Sequence, residues 1–88
     1  MKIGRDKPMI LDDLKEIINE TFKINKDIIE ISTPLYDGGL NLNSIQLLEL
    51  TVSIEEFYGK EFNPDDLTDS NFKTIESLCT LIKTSLVD

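Results

Sequence analysis

The stretch from Leu40 to Gly59, LNLNSIQLLELTVSIEEFYG, decides how the rest of the chain is read. From Ser44 to Tyr58 the apolar residues recur at helical spacing, with Asn43 or Ser44 placed to cap the first turn and Gly59 to end the last one in the left-handed conformation. The spacing therefore predicts a second helix over 44–58. It is unusually apolar. Leu47, Leu50, Ile54, Phe57 and Tyr58 supply one face, while Ile45, Leu48 and Val52 form another stripe about a quarter to a third of a turn away. Glu49, Glu55 and Glu56 border that second stripe. Two readings follow: a docking surface with an acidic rim, or a central helix buried on most sides in a small bundle.

Outward from this helix, Ile10, Leu14, Ile17, Ile18 and Phe22 mark an amphipathic first helix over about 9–23. Residues 24–43 hold Pro34, Gly38 and Gly39 together with Ile28, Ile29, Ile31, Leu35, Leu40 and Leu42, a mixture that predicts a long loop pinned by its own apolar side chains. A connection of that length in a small domain is more often functional than idle. Beyond Gly59, Asn63 and Pro64 open a short acidic third helix at about 65–69. Thr74 caps a last helix, about 74–86, in which Ile75, Leu78, Cys79 and Ile82 share one face. No strand pattern or internal repeat competes. The expected architecture is all-α: a small four-helix bundle with three long helices, one short one, and a long loop between the first two.

The whole chain has 88 residues, 40% of them hydrophobic, which fits one domain over 1–88 that buries about 60 to 65% of its unfolded surface. The net charge of −8 arises from 17 acidic against 9 basic residues, so binding to a phosphate backbone is excluded. Residues 1–33 carry net −1, residues 34–70 net −7 and residues 71–88 net zero. An acidic middle either steers a basic partner to one face or keeps a surface soluble. His is absent and Cys79 stands alone, which removes imidazole catalysis, a Cys/His zinc cluster and an intrachain disulfide. Asp65 to Glu76 has the length of a calcium loop, but Leu67 and Ser70 occupy positions that need an oxygen ligand and Gly. No metal site is expected. Within the apolar stripe of the last helix, Cys79 reads as a buried structural thiol. Met1 to Lys7 has no secretory pattern and no run approaches a membrane span, so a soluble, cytoplasmic monomer without membrane insertion is expected.

The segment Leu40-Asn41-Leu42-Asn43-Ser44-Ile45 resembles the modification site of the acyl carrier proteins, a family that includes peptidyl and aminoacyl carriers and usually reads Leu-Gly-x-Asp-Ser-Leu. The likeness continues through Leu48, Glu49, Leu50, Ile54, Glu55 and Glu56, then Tyr58-Gly59, Glu61-Phe62, and Phe72, Thr74 and Ile75. It spans nearly the whole chain. The resemblance implies that Ser44, flanked by Asn43 and Ile45, carries 4′-phosphopantetheine from coenzyme A, whose thiol bears an acyl or aminoacyl cargo as a thioester. It also implies that Ile45, Leu48, Glu49, Val52, Glu55 and Glu56 face the partners. Those would be a phosphopantetheinyl transferase, loading enzymes, and synthases with basic docking surfaces, in fatty-acid, polyketide, nonribosomal-peptide or related biosynthesis. The chain itself is expected not to be an enzyme, since Ser44 has no His to activate it. Asn43 stands where the family has Asp, Asn41 where it has Gly and Gln46 where Asp is common; Asn tolerates the left-handed region that a Gly position can demand. A carrier-like interaction module without cofactor is the alternative.

Overall fold

The computed structural model describes residues 7–87. Helix α1 spans Lys7–Phe22, α2 Ser44–Tyr58 and α3 Ile75–Ile82, the last continuing as a π-helical turn over Lys83–Val87. Among the described residues there is no strand, and Pro34 and Thr74 form an isolated antiparallel bridge. The fold is all-α, and α1 packs against both α2 and α3. No described helix is long and apolar enough to cross a membrane.

The core follows from the apolar spacing. Ile10, Leu14, Ile17 and Ile18 of α1 meet Leu50 and Ile54 of α2 and Ile75, Leu78, Cys79, Leu81 and Ile82 of α3, all buried. Lys23 ends α1 in the left-handed region at φ 62, its N–H donating to the Asn19 carbonyl at 2.8 Å. Tyr58 ties α2 back to α1 by donating its hydroxyl to Asp13 Oδ2 at 2.9 Å.

The connection between α1 and α2 is held in two ways. Ile29, Leu35 and Leu42 plug into the core, while Ile28 and Ile31 stay exposed. Backbone bonds then stitch the loop to the start of α3: Ile75 N–H donates to Thr33 O at 2.9 Å and Glu76 N–H to Ile31 O at 2.8 Å. These satisfy helix N–H groups that have no partner inside a first turn. Leu35 N–H donates to Lys73 O at 3.0 Å and Leu42 N–H to Leu35 O at 2.9 Å, so the chain entering α2 is anchored to the chain entering α3. A 3₁₀ turn over Lys26–Ile28, capped by Asn25, interrupts what the sequence marked as continuous loop.

The third helix expected at 65–69 is instead a three-residue 3₁₀ turn, Pro64–Asp66. Asn63 caps it by accepting the Asp65 N–H at 3.0 Å. It stops because Leu67 leaves the helical region at ψ 69 and the Asp66 carbonyl, which a longer helix would use, accepts the Asn71 side chain at 2.7 Å. The last α-helix likewise gives way at Ile82, earlier than the expected 86, although the coil runs on in π form.

Candidate functional site

Ser44 is the first residue of α2, and the cap before it is Asn43. The Asn43 side chain accepts the Gln46 N–H at 2.8 Å, and Gln46 Oε1 accepts the Asn43 N–H at 3.0 Å. This reciprocal box leaves Ser44 out of the capping work. Its side chain is exposed, and no hydrogen bond among the described residues engages its hydroxyl. The N–H groups of Ser44 and Ile45 belong to the unsatisfied first turn, at the positive end of a 15-residue helix. Just upstream, Asn41 adopts φ 57, the left-handed conformation anticipated for a residue standing in a Gly position.

A cleft of about 670 Å³ opens beside Ser44. One wall is Ser44, Leu47, Leu48 and Thr51; the other is the segment from Leu67 through Ser70 with Phe72 and Lys73, and Tyr36 of the long loop closes an end. The lining is mixed: apolar side chains alternate with hydroxyls, one carboxylate and one ammonium. This second wall follows directly on the 3₁₀ turn, its residues 69–72 forming a further turn closed by the Phe72 N–H donating to Thr68 O at 3.2 Å.

The residues expected to face partners divide. Ile45, Leu48 and Val52 are 75%, 65% and 45% exposed, a continuous apolar strip on the outer face of α2. Glu49 and Glu56 are exposed beside it. Glu55 differs: it is half-buried and its Oε2 accepts the Phe62 N–H at 2.8 Å, so it also anchors the chain that leaves α2.

Phe57 corrects the inward stripe. The sequence groups it with Leu47, Leu50, Ile54 and Tyr58, yet it is 48% exposed. At roughly 100° per residue Phe57 lies about 60° around the helix from Ile54, on the far side from Leu47 and Tyr58, at the margin of the buried face. Thr51 takes the inward position instead, 7% exposed, with its hydroxyl donating to Leu47 O at 2.9 Å. Two features of the site escaped the sequence reading. The Asn43–Gln46 box had a local signal, the Asn-x-x-Gln spacing; the far wall of the cleft had none, because only folding brings it to α2.

Chemically the site offers a nucleophile without machinery. The chain contains no His, and no group of three His, Cys, Asp or Glu among the described residues could hold a metal ion. Fold and site together define a small helical body that presents a hydroxyl at a helix start.

Comparison with known proteins agrees. The family profile described as phosphopantetheine attachment site matches residues 12–82. An acyl carrier protein of Coprothermobacter proteolyticus is 28% identical over 81 residues, covering 92% of this chain and 95% of that protein. A chain from the crystal structure of an engineered Bradyrhizobium japonicum glycine:[carrier protein] ligase, complexed with carrier protein from Agrobacterium tumefaciens and ATP, superimposes with a TM-score of 0.73 at 25% identity, over 85% of this chain and 97% of that one. The chain belongs to the phosphopantetheine-attachment family, that of the acyl carrier proteins, and 4′-phosphopantetheine is its cofactor. The residues present fit the group: an unengaged hydroxyl faces solvent at a helix N-terminus, with an open cleft beside it.

Proposed function

We propose that Ser44 is the attachment residue and that the protein shuttles an acyl or aminoacyl group between the enzymes of a biosynthetic pathway. The exposed, unbonded Ser44 hydroxyl at the start of a capped helix carries this reading. In the loading step a transferase's base takes the hydroxyl proton, Ser44 Oγ bonds to the β-phosphorus of coenzyme A, and the bond from that phosphorus to the departing 3′,5′-ADP breaks. The N–H groups of Ser44 and Ile45 in the first turn would hold the phosphodiester, with a helix-dipole contribution of about 0.3 to 1 kcal/mol on an exposed surface. Asn43, being neutral, caps the helix without adding a negative charge beside the phosphate. The arm supplies a terminal thiol on which cargo is held as a thioester. Leu47, Phe72 and Leu67 offer apolar contact to a short cargo lying along the cleft.

The strip Ile45, Leu48 and Val52, with Glu49, Glu56 and the outward edge of Glu55, is the surface we assign to partner enzymes with basic rims around an apolar patch. Those partners are a phosphopantetheinyl transferase, loading enzymes and acyl-processing synthases. A monomer accords with the charge of −8 on so small a body, and we assign it to the cytoplasm. The test is intact mass after incubation with coenzyme A, magnesium and a broad-range transferase. A single arm's increment that disappears in Ser44→Ala supports the proposal; no increment with several transferases refutes it in favour of a cofactor-free interaction module.

A further inference from the structure

The cleft beside Ser44 contains a polar group that a purely apolar shelter does not need. Thr51 is 7% exposed and lines that cleft together with half-buried Leu47 and buried Phe72. Its hydroxyl proton is spent on the Leu47 carbonyl at 2.9 Å, one helical turn back. The oxygen keeps its acceptor capacity, so to any group in the cleft it is an acceptor and not a donor. On the opposite wall Asp69 is exposed, and no ammonium among the described residues pairs with its carboxylate. Lys73, the one cation of the described lining, is exposed and carries its ammonium on a long stem that water can draw outward. Most of the lining comes from residues 34–70, the segment with net charge −7.

We infer that the cleft selects an aminoacyl cargo, holding its α-ammonium between Thr51 Oγ1 and the Asp69 carboxylate. The inference deepens the carrier reading proposed above and rests on it for the arm that brings cargo to the cleft. Each kind of cargo meets this lining differently. A plain acyl chain gives the Thr51 oxygen no donor and lays carbon against an exposed carboxylate. A dicarboxylic half-thioester brings a negative end to a wall of net negative charge, and Thr51 has no proton left to offer it. An aminoacyl thioester has spent its carboxyl in the bond to the arm and keeps a free ammonium, which only donates. One N–H reaches the buried Thr51 oxygen and another makes a charge-assisted hydrogen bond to Asp69, while a small side chain packs on Leu47 and Phe72. Thr51 and Asp69 are therefore specificity-determining residues for the cargo, and neither belongs to the outer strip assigned to partner enzymes.

The test loads isotope-labelled protein with synthetic coenzyme A analogues whose arm ends in an amide in place of the thioester, so that the cargo cannot hydrolyse. Arms bearing alanyl, its apolar counterpart isobutyryl, its hydroxyl counterpart lactyl, and malonyl are compared by NMR. The alanyl arm alone is expected to move the signals of Thr51, Asp69 and the Leu47 methyl groups from their positions with the isobutyryl arm. Asp69→Asn should lower the docked population about two- to fivefold, the range of an exposed ion pair. Thr51→Val should abolish the shifts at Thr51's own position and at Leu47, and Thr51→Ser, which keeps the hydroxyl, should retain them. That pair separates loss of the acceptor from a packing defect. Equal shifts with the lactyl or isobutyryl arm, larger ones with malonyl, or alanyl shifts that survive both Thr51→Val and Asp69→Asn would overturn the inference. Attachment of each arm is read separately by intact mass. A chain that takes the arms but shows no cargo-dependent shift refutes the cargo assignment alone, and one that takes no arm refutes the carrier reading and this inference with it.

Discussion

Asn43→Ala tests the arrangement that presents Ser44. The substitution removes the oxygen that accepts the Gln46 N–H at 2.8 Å, while the return bond to Gln46 Oε1 uses the backbone N–H and stays available. Asn43 is exposed and Gln46 half-buried, so water replaces the lost acceptor and no polar group is orphaned in the core. The expected cost is that of an N-cap alone, about 1 kcal/mol within a range of 0.5 to 2. For a domain of 88 residues, that lowers the thermal midpoint by about 4 to 8 °C. Asn43→Asp keeps the acceptor and adds a charge that the helix N-terminus favours, so it should match the parent or gain up to about 1 kcal/mol at low salt. Once Ser44 bears a phosphodiester the aspartate loses that gain, because two negative groups then share one helix end. Thermal unfolding followed by far-ultraviolet circular dichroism measures all of this. An alanine variant that melts with the parent, or an aspartate variant that falls as far as the alanine one, would refute the assignment of the cap to Asn43.

Three further outcomes are expected. Ile54→Ala empties a fully buried position and should cost about 2 to 5 kcal/mol in urea unfolding, whereas Ile45→Ala, at a site 75% exposed, should cost less than about 0.5 kcal/mol and instead weaken binding to a transferase. Gly39→Ala places a Cβ against the Pro34 carbonyl, the group that accepts the Leu40 N–H at 3.0 Å, and should destabilise by about 1 to 3 kcal/mol in the same assay. The hydrogen bond from Lys26 to Glu16, and then the Glu16 charge, hold the ammonium pKa above 10.5. A raised folded value means that the pair's contribution is fully present below the ordinary lysine range and is lost as pH climbs through the folded pKa. An NMR titration of the Lys26 side chain should show this, with Glu16→Gln returning the value toward 10.5.

Local pattern and long-range packing contributed differently to this protein. The periodicities of Ile10 to Phe22 and of Leu47 to Tyr58, the Gly59 terminator and the Thr74 cap are readable without a fold, because a helix is made of contacts between residues three and four apart. The start of α2 was legible for the same reason, and with it the place of Ser44, whereas spacing left open whether Ile45, Leu48 and Val52 were buried or exposed, and the packed structure turns them outward. That apolar side chains pin the long connection was also legible, but not which ones: Ile29, Leu35 and Leu42 reach the core while Ile28 and Ile31 stay exposed.

What the chain order could not reveal depends on residues far apart. Whether Phe57 or Thr51 turns inward is decided by where α1 lies against α2, a choice between two margins of one apolar face. Glu55 becomes an anchor because the backbone at Phe62 returns to it. The turn at Pro64–Asp66 ends because Asn71 folds back onto the Asp66 carbonyl. The wall opposite Ser44 is assembled from residues 67–73 through the bond between Leu35 and Lys73. Helix formation rewards near neighbours and so leaves its mark in spacing, while a cleft is the gap left between separately formed elements and exists only after they have packed.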